Sequence, residues 1–146
     1  MSRADSNALA AMLGGGCFIF VLLVLAVAIA VAVFYILTMQ KALNLAGERH
    51  QKMQPAMVWL MLIPLFNLVW HFIVVKNVSE SIKSWAAEHG QNVDDGGYTI
   101  GLVACIANCC GLIPVVNLLA GPVGLVCFIL WWVKVAGFNR LMQVQA

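Results

Sequence analysis

The chain has 146 residues, 63% of them hydrophobic and only 10% charged, with a formal net charge of +2. Soluble domains carry roughly 45–50% apolar and about 25% charged residues, and a single core of this size cannot cover so much apolar surface, so a soluble globular domain is excluded. The eight basic residues are too scattered for a nucleic-acid interface. What remains is a membrane protein built from apolar runs, each needing about 20 residues to cross about 30 Å of hydrocarbon.

The first run is uncharged from Cys17 to Leu37 and predicts a span over about 15–38. It is too long, and its amino-terminal flank too weakly basic, for a secretory signal, so it reads as an uncleaved anchor. The second run, "AMVWLMLIPLFNLVWHFIVV", predicts a span over 56–75 that is entered after Pro55 and left at Lys76. Pro64 near its middle removes a backbone donor, and a kink is expected there.

Beyond Lys76, Val75, Val78, Ile82 and Trp85 recur at spacings of three and four, with Lys76 and Glu80 paired at helical spacing. This predicts an amphipathic helix over about 76–90, ended by Gly90. It would lie on the membrane surface, continue the second span, or present a docking face to a partner. In "GQNVDDGG", Asp94 or Asp95 is placed to cap the next helix, and the alternating ligands of a calcium loop are absent.

From Tyr98 to Val133 the chain is uncharged for 36 residues, slightly short for two full spans and a turn. We expect spans over about 98–118 and 121–140, joined by a hairpin in "LAGPVG" at Leu119 to Gly124. The alternative is a short third span that stops at Gly111, with Pro114 opening the fourth. Trp131, Trp132 and Lys134, like Trp85 earlier, suit interfacial anchors. The expected fold is all-α: one polytopic transmembrane bundle over 1–146, with four spans and an amphipathic surface helix after the second. Counting basic residues on either side of four spans places Arg3, Lys76, Lys83, Lys134 and Arg140 against Lys41, Arg49 and Lys52, which favours cytoplasmic termini. The charge difference across the first span alone points the other way.

Few polar side chains fall inside the runs. Asn67 and His71 share a helix face, and Asn108 lies on the third span. These residues could relay protons, ligate a metal or haem, or hydrogen-bond across the bundle; with no intramembrane carboxylate, structural hydrogen bonding is the expected role. Cys105, Cys109 and Cys110 resemble a ligand set, but one helix cannot converge all three and the chain has no CxxC. Gly97, Gly101, Cys105 and Cys109 instead make a stripe of small residues at every fourth position, the kind of face on which membrane helices pack. No catalytic motif occurs, and no metal or cofactor is expected. "LIPLFN" (Leu62 to Asn67) and "LIPVVN" (Leu112 to Asn117) repeat, yet Pro64 precedes Lys76 by about 18 Å of helix and Pro114 precedes Lys134 by about 30 Å, so a true inverted repeat is not expected.

"MQPAMVWLMLIPLFNLVWHFIVVKNVSESIK" (Met53 to Lys83) and "CCGLIPVVNLLAGPVGLVCFILWWVKVAGFN" (Cys109 to Asn139) resemble a group of small, uncharacterised bacterial four-helix membrane proteins, a domain of unknown function. The resemblance covers about residues 50–140. It implies a bacterial inner-membrane location and a four-span layout, and carries over no activity or site residue.

The expected role is non-enzymatic: an accessory or structural subunit of a membrane complex, or a small homo-oligomer, whose partners are the lipid bilayer and other membrane chains or itself. A small channel or transporter with a polar midpoint at Asn67 and His71 is the alternative. A metal- or haem-binding redox protein is the second.

Overall fold

The structure, a computed structural model, describes residues 3–111 and 113–145, with side chains from residue 15 onward other than those of 64, 112, 114 and 115. The described residues are all-helical, without strands. Helix α1 runs Arg3–Ala46, a 3-10 helix Pro55–Leu62, α2 Pro64–Glu88, α3 Tyr98–Cys110 and α4 Pro114–Gln145. Two stretches, Gly15–Ala46 in α1 and Val116–Gln145 in α4, are long and apolar enough to cross a membrane, and α3 is a shorter apolar helix of 13 residues.

The chain divides into two compact units, residues 1–34 and 35–146. In the first, α1 carries no polar side chain from Cys17 to Phe34, and its apolar residues are exposed around nearly the whole circumference. In the second, Tyr35, Ile36, Met39, Ala42, Leu43 and Ala46 make a continuous helical stripe and are all buried. They share a core with Val74, Val75, Val78 and Ile82 of α2, Cys105 of α3, and Trp131, Val135 and Met142 of α4. Spacings of three, four and seven put each set on one face of its helix, which is why these residues and not their neighbours are covered.

Three boundaries differ from the sequence expectation. Pro64 does not kink a helix over 56–75; it opens α2 at the first-turn position, after a 3-10 helix that ends at Leu62. Proline lacks the donor that a first-turn residue leaves unused, and it drives the preceding residue out of helical geometry; Ile63 accordingly sits at φ −83°, ψ 110°. Next, α2 runs unbroken to Glu88, so the amphipathic segment continues the preceding helix, one of the placements expected for it, and is not a separate surface helix. The apolar face of that segment (Val75, Val78, Ile82, Trp85) is buried in the protein's own core, so neither a membrane surface nor a partner covers it. Finally, the turn before α4 lies between Cys110 and Pro114 and not at Leu119–Gly124, which is helical with Pro122 inside it. Pro114 breaks the chain there as Pro64 does earlier: the Asn67 N–H reaches Ile63 O at 2.8 Å and the Asn117 N–H reaches Ile113 O at 2.9 Å. The repeated motif is a shared way of starting a helix.

The connection from α1 to the 3-10 helix returns to the end of α2. Arg49 Nη1 donates to Glu88 Oε1 at 2.8 Å, His50 Nδ1 and Ser84 Oγ lie 2.9 Å apart, and the Lys52 N–H donates to Ser81 Oγ at 3.0 Å. Four alternating spans would set these two connections at opposite ends; here they are at the same end.

Candidate functional site

Tyr35 on α1 and His71 on α2 are both buried, and Tyr35 Oη shares a 2.8 Å hydrogen bond with His71 Nε2. Around them stand Phe128, Trp131 and Trp132 of α4. Tyr35 lies 4.6 Å from Phe128 and 5.8 Å from each tryptophan, ring centre to ring centre. His71 meets Phe128 and Trp131 edge-on at 6.3 and 6.1 Å. One turn along α1, the Trp132 indole N–H donates to Thr38 Oγ1 and the Asn139 amide donates to Thr38 O, both at 3.0 Å. Helical spacing puts Tyr35 and Thr38 on one face, and α4 presents Phe128, Trp131, Trp132 and Asn139 to it.

This arrangement joins three helices through polar bonds inside an apolar shell. Each buried polar group that finds a partner avoids a desolvation penalty of about 1–3 kcal/mol, so the pairs specify which face of α1 meets α2 and α4. A proton relay would need an onward acceptor, and the aromatic rings enclose the pair. Among the described residues, no group of three or more His, Cys, Asp or Glu is placed to hold a metal ion.

Asn67 lies one turn before His71 on α2, half-buried, with Oδ1 covered and unpartnered. Asn108 is exposed on α3 and is not part of the buried group. Tyr35, Thr38 and Asn139 escaped the sequence reading. The signal for Tyr35 and Thr38 was a pair of hydroxyls three residues apart at the end of the first apolar run.

Gly97, Gly101 and Cys105 of the small-residue stripe are buried, and Cys109 is half-buried. The stripe faces α2 and α4 of the same chain. A Cβ on Gly101 would lie 2.6 Å from Val75 Cγ1 and 2.8 Å from Trp131 Nε1, and one on Gly97 would lie 3.2 Å from Trp131 Cδ1. All five cysteines are free thiols.

Two of the expected interfacial anchors are corrected. Trp131 is fully buried, with its indole N–H unpartnered, and Trp85 is 5% exposed and stacks on His89 at 4.3 Å. An anchor must reach the membrane surface, and the periodicity of α2 and α4 turns both rings inward. Trp132 is half-buried and bonded to Thr38. Lys134 Nζ reaches Asp95 Oδ1 at 3.4 Å.

Asp95 organises the entry to α3, its carboxylate accepting the Gly97 N–H at 2.8 Å and the Thr99 N–H at 2.7 Å. Burial alone would raise the Asp95 pKa. The bonds from Thr99 and Gly97, together with the Lys134 charge, outweigh that and hold the carboxyl well below its ordinary range. Gly96 beside it is required twice over: φ is +65°, and a Cβ would come within 2.7 Å of Ser79 O on α2.

A family model described as a domain of unknown function (DUF4328) matches residues 2–98, about two thirds of the chain. It takes in α1, the 3-10 helix, α2 and the loop before α3, and so includes the first apolar run and the "QNVDDGG" loop, which lay outside the sequence resemblance. No curated protein and no solved structure matches the chain.

Proposed function

We propose, for a chain that belongs to the DUF4328 family of domains of unknown function, a multi-pass protein of the bacterial inner membrane that acts by packing, as an accessory or structural subunit of a membrane complex or as a small homo-oligomer. The observation that carries this reading is α1. Consecutive residues from Phe18 to Leu25 are all exposed, so apolar surface faces outward on every side of the helix. A helix that is hydrophobic all round is stable only when lipid or other helices cover it. The apolar length of α4 supports a second crossing, and the reading adds a third through α3, a shorter apolar helix of 13 residues, and the connection after it.

The buried polar groups support a structural role better than transport. His71 is bonded to Tyr35 and enclosed by aromatic rings, and Asn67 Oδ1 is covered without a partner. Photo-crosslinking tests the packing reading. A benzophenone side chain at Leu23 or Ile29, both exposed on α1, is expected to give protein adducts in native membranes. Lipid adducts alone from both positions would refute it. Liposome flux abolished by Asn67→Ala or His71→Ala would establish the transport reading instead.

A further inference from the structure

We infer that the 3-10 helix and α2 form a re-entrant hairpin that enters and leaves the bilayer on the cytoplasmic side, leaving α1, α3 and α4 as the crossings among the described residues. The inference rests on the membrane reading above and adds which surface meets which leaflet. The ends of the hairpin lie together: Arg49 pairs with Glu88, and His50 bridges Ser84 and Glu88. Exposed ionic groups that touch cannot stand on opposite sides of about 30 Å of hydrocarbon.

The lengths agree. Val75 and Trp131 both crowd Gly101, so they stand at one level, and Lys76 and Lys134 follow close behind on their helices. From that level α4 extends 17 residues back to Pro114, about 26 Å, whereas α2 extends 11 residues back to Pro64, about 17 Å. The eight-residue 3-10 helix covers about 16 Å on the way in. The α3–α4 tip thus lies about 9 Å deeper, toward the far surface, and the Ile63 turn stops near mid-bilayer.

The hairpin tip suits that depth. No charged residue occurs between Lys52 and Lys76, and Leu62, Ile63, Leu65, Phe66 and Val69 are exposed, Leu65 at 84%. Non-helical backbone inside a membrane must have its polar groups satisfied. Here the turn is one residue long, with the Ile63 N–H on Leu60 O at 3.2 Å and Ile63 O accepting from Asn67.

Orientation follows from charge. With the hairpin re-entrant, Lys41, Arg49, Lys52, Lys76, Lys83, Lys134 and Arg140 all stand at one end, where four alternating spans would split the basic residues five to three. Cytoplasmic loops carry the excess of Lys and Arg, so this end meets the anionic headgroups of the inner leaflet.

Labelling with a membrane-impermeant maleimide tests this in the full-length protein, with wild type as the control for the native cysteines. Glu48→Cys and Ala87→Cys are at exposed positions at the two ends of the hairpin, Glu48 in the connection before it and Ala87 in the last turn of α2 where the next connection begins. Both are expected to react in inside-out vesicles and not in intact cells. Gln54→Cys serves as a second site on the first connection if Glu48→Cys is not retained in the membrane. Leu65→Cys is expected to react only after detergent solubilisation. Labelling of the two connections from opposite sides, labelling of both from outside, or labelling of Leu65→Cys in intact cells would each overturn the hairpin as stated. Release of wild type by alkaline carbonate would instead bring down the membrane reading on which it rests.

Discussion

Replacing Gly101 by alanine should destabilise the protein even though alanine is the better helix former. The added Cβ would sit 2.6 Å from Val75 Cγ1, 2.8 Å from Trp131 Nε1 and 3.0 Å from Trp131 Cδ1, where carbon contacts are comfortable at about 3.5–4.0 Å. Relief therefore needs about 1 Å of movement. Val75 and Trp131 are both fully buried, so neither has a free side to move into. Overpacking of this kind costs about 1–3 kcal/mol, and the gain in helix propensity returns about 1 kcal/mol, leaving a net loss of up to about 2 kcal/mol. Gly137→Ala on α4 is the matched control, because nothing lies within 4 Å of its Cβ position; it should stabilise by up to about 1 kcal/mol. Unfolding in mixed micelles followed by circular dichroism reads both, and the midpoints should move in opposite directions. A Gly101→Ala variant as stable as Gly137→Ala would refute the packing of α3 against Val75 and Trp131.

Tyr35→Phe should cost about 1–3 kcal/mol by leaving His71 Nε2 covered and unpartnered, whereas Tyr35→Phe with His71→Phe should recover part of that loss; additive costs in the same unfolding assay would mean that the pair is not coupled. Asp95 has a lower pKa folded than unfolded, so the stability it contributes is complete above its unfolded value of about 4 and is lost as pH falls below that. Wild type should accordingly lose stability on acidification below about pH 4 more steeply than Asp95→Asn, and parallel pH profiles would contradict this. Gly96→Ala should disrupt the loop before α3, since it combines positive φ with a close approach to Ser79 O, while Gly90→Ala, also at positive φ but in open space, should cost only about 1 kcal/mol. Hydrogen exchange of the Gly97 and Thr99 amides separates the two, with protection lost only in the Gly96 variant.

The apolar runs were legible because hydropathy is a local property. The helical nature of the chain, the long first helix and the cap supplied by Asp95 all follow from residues within a few positions of one another. Whether a proline kinks a helix or opens one is not local: Pro64 and Pro122 both fall inside apolar runs, yet α2 begins at the first and α4 continues through the second. Direction also escaped the reading. Trp85 and Trp131 have the composition of interfacial anchors, and only the packing of α2, α3 and α4 shows that their helices turn them inward. The buried group was half visible. His71 was conspicuous as a histidine in an apolar run, while Tyr35 and Asn139 read as the edges of theirs, because their partners are 36 and, for Asn139 on Thr38, 101 residues away. The stripe of Gly97, Gly101 and Cys105 was legible as small residues, but the side chains that fill its hollow belong to α2 and α4.

The proposed role is packing against other chains in the membrane. Its most direct test is the mass of the particle extracted from native membranes, at native expression, into lipid discs without exposure to harsh detergent. A complex containing several copies of the 15.8 kDa chain or further membrane subunits is expected. A lone monomer with no copurifying chain would contradict it.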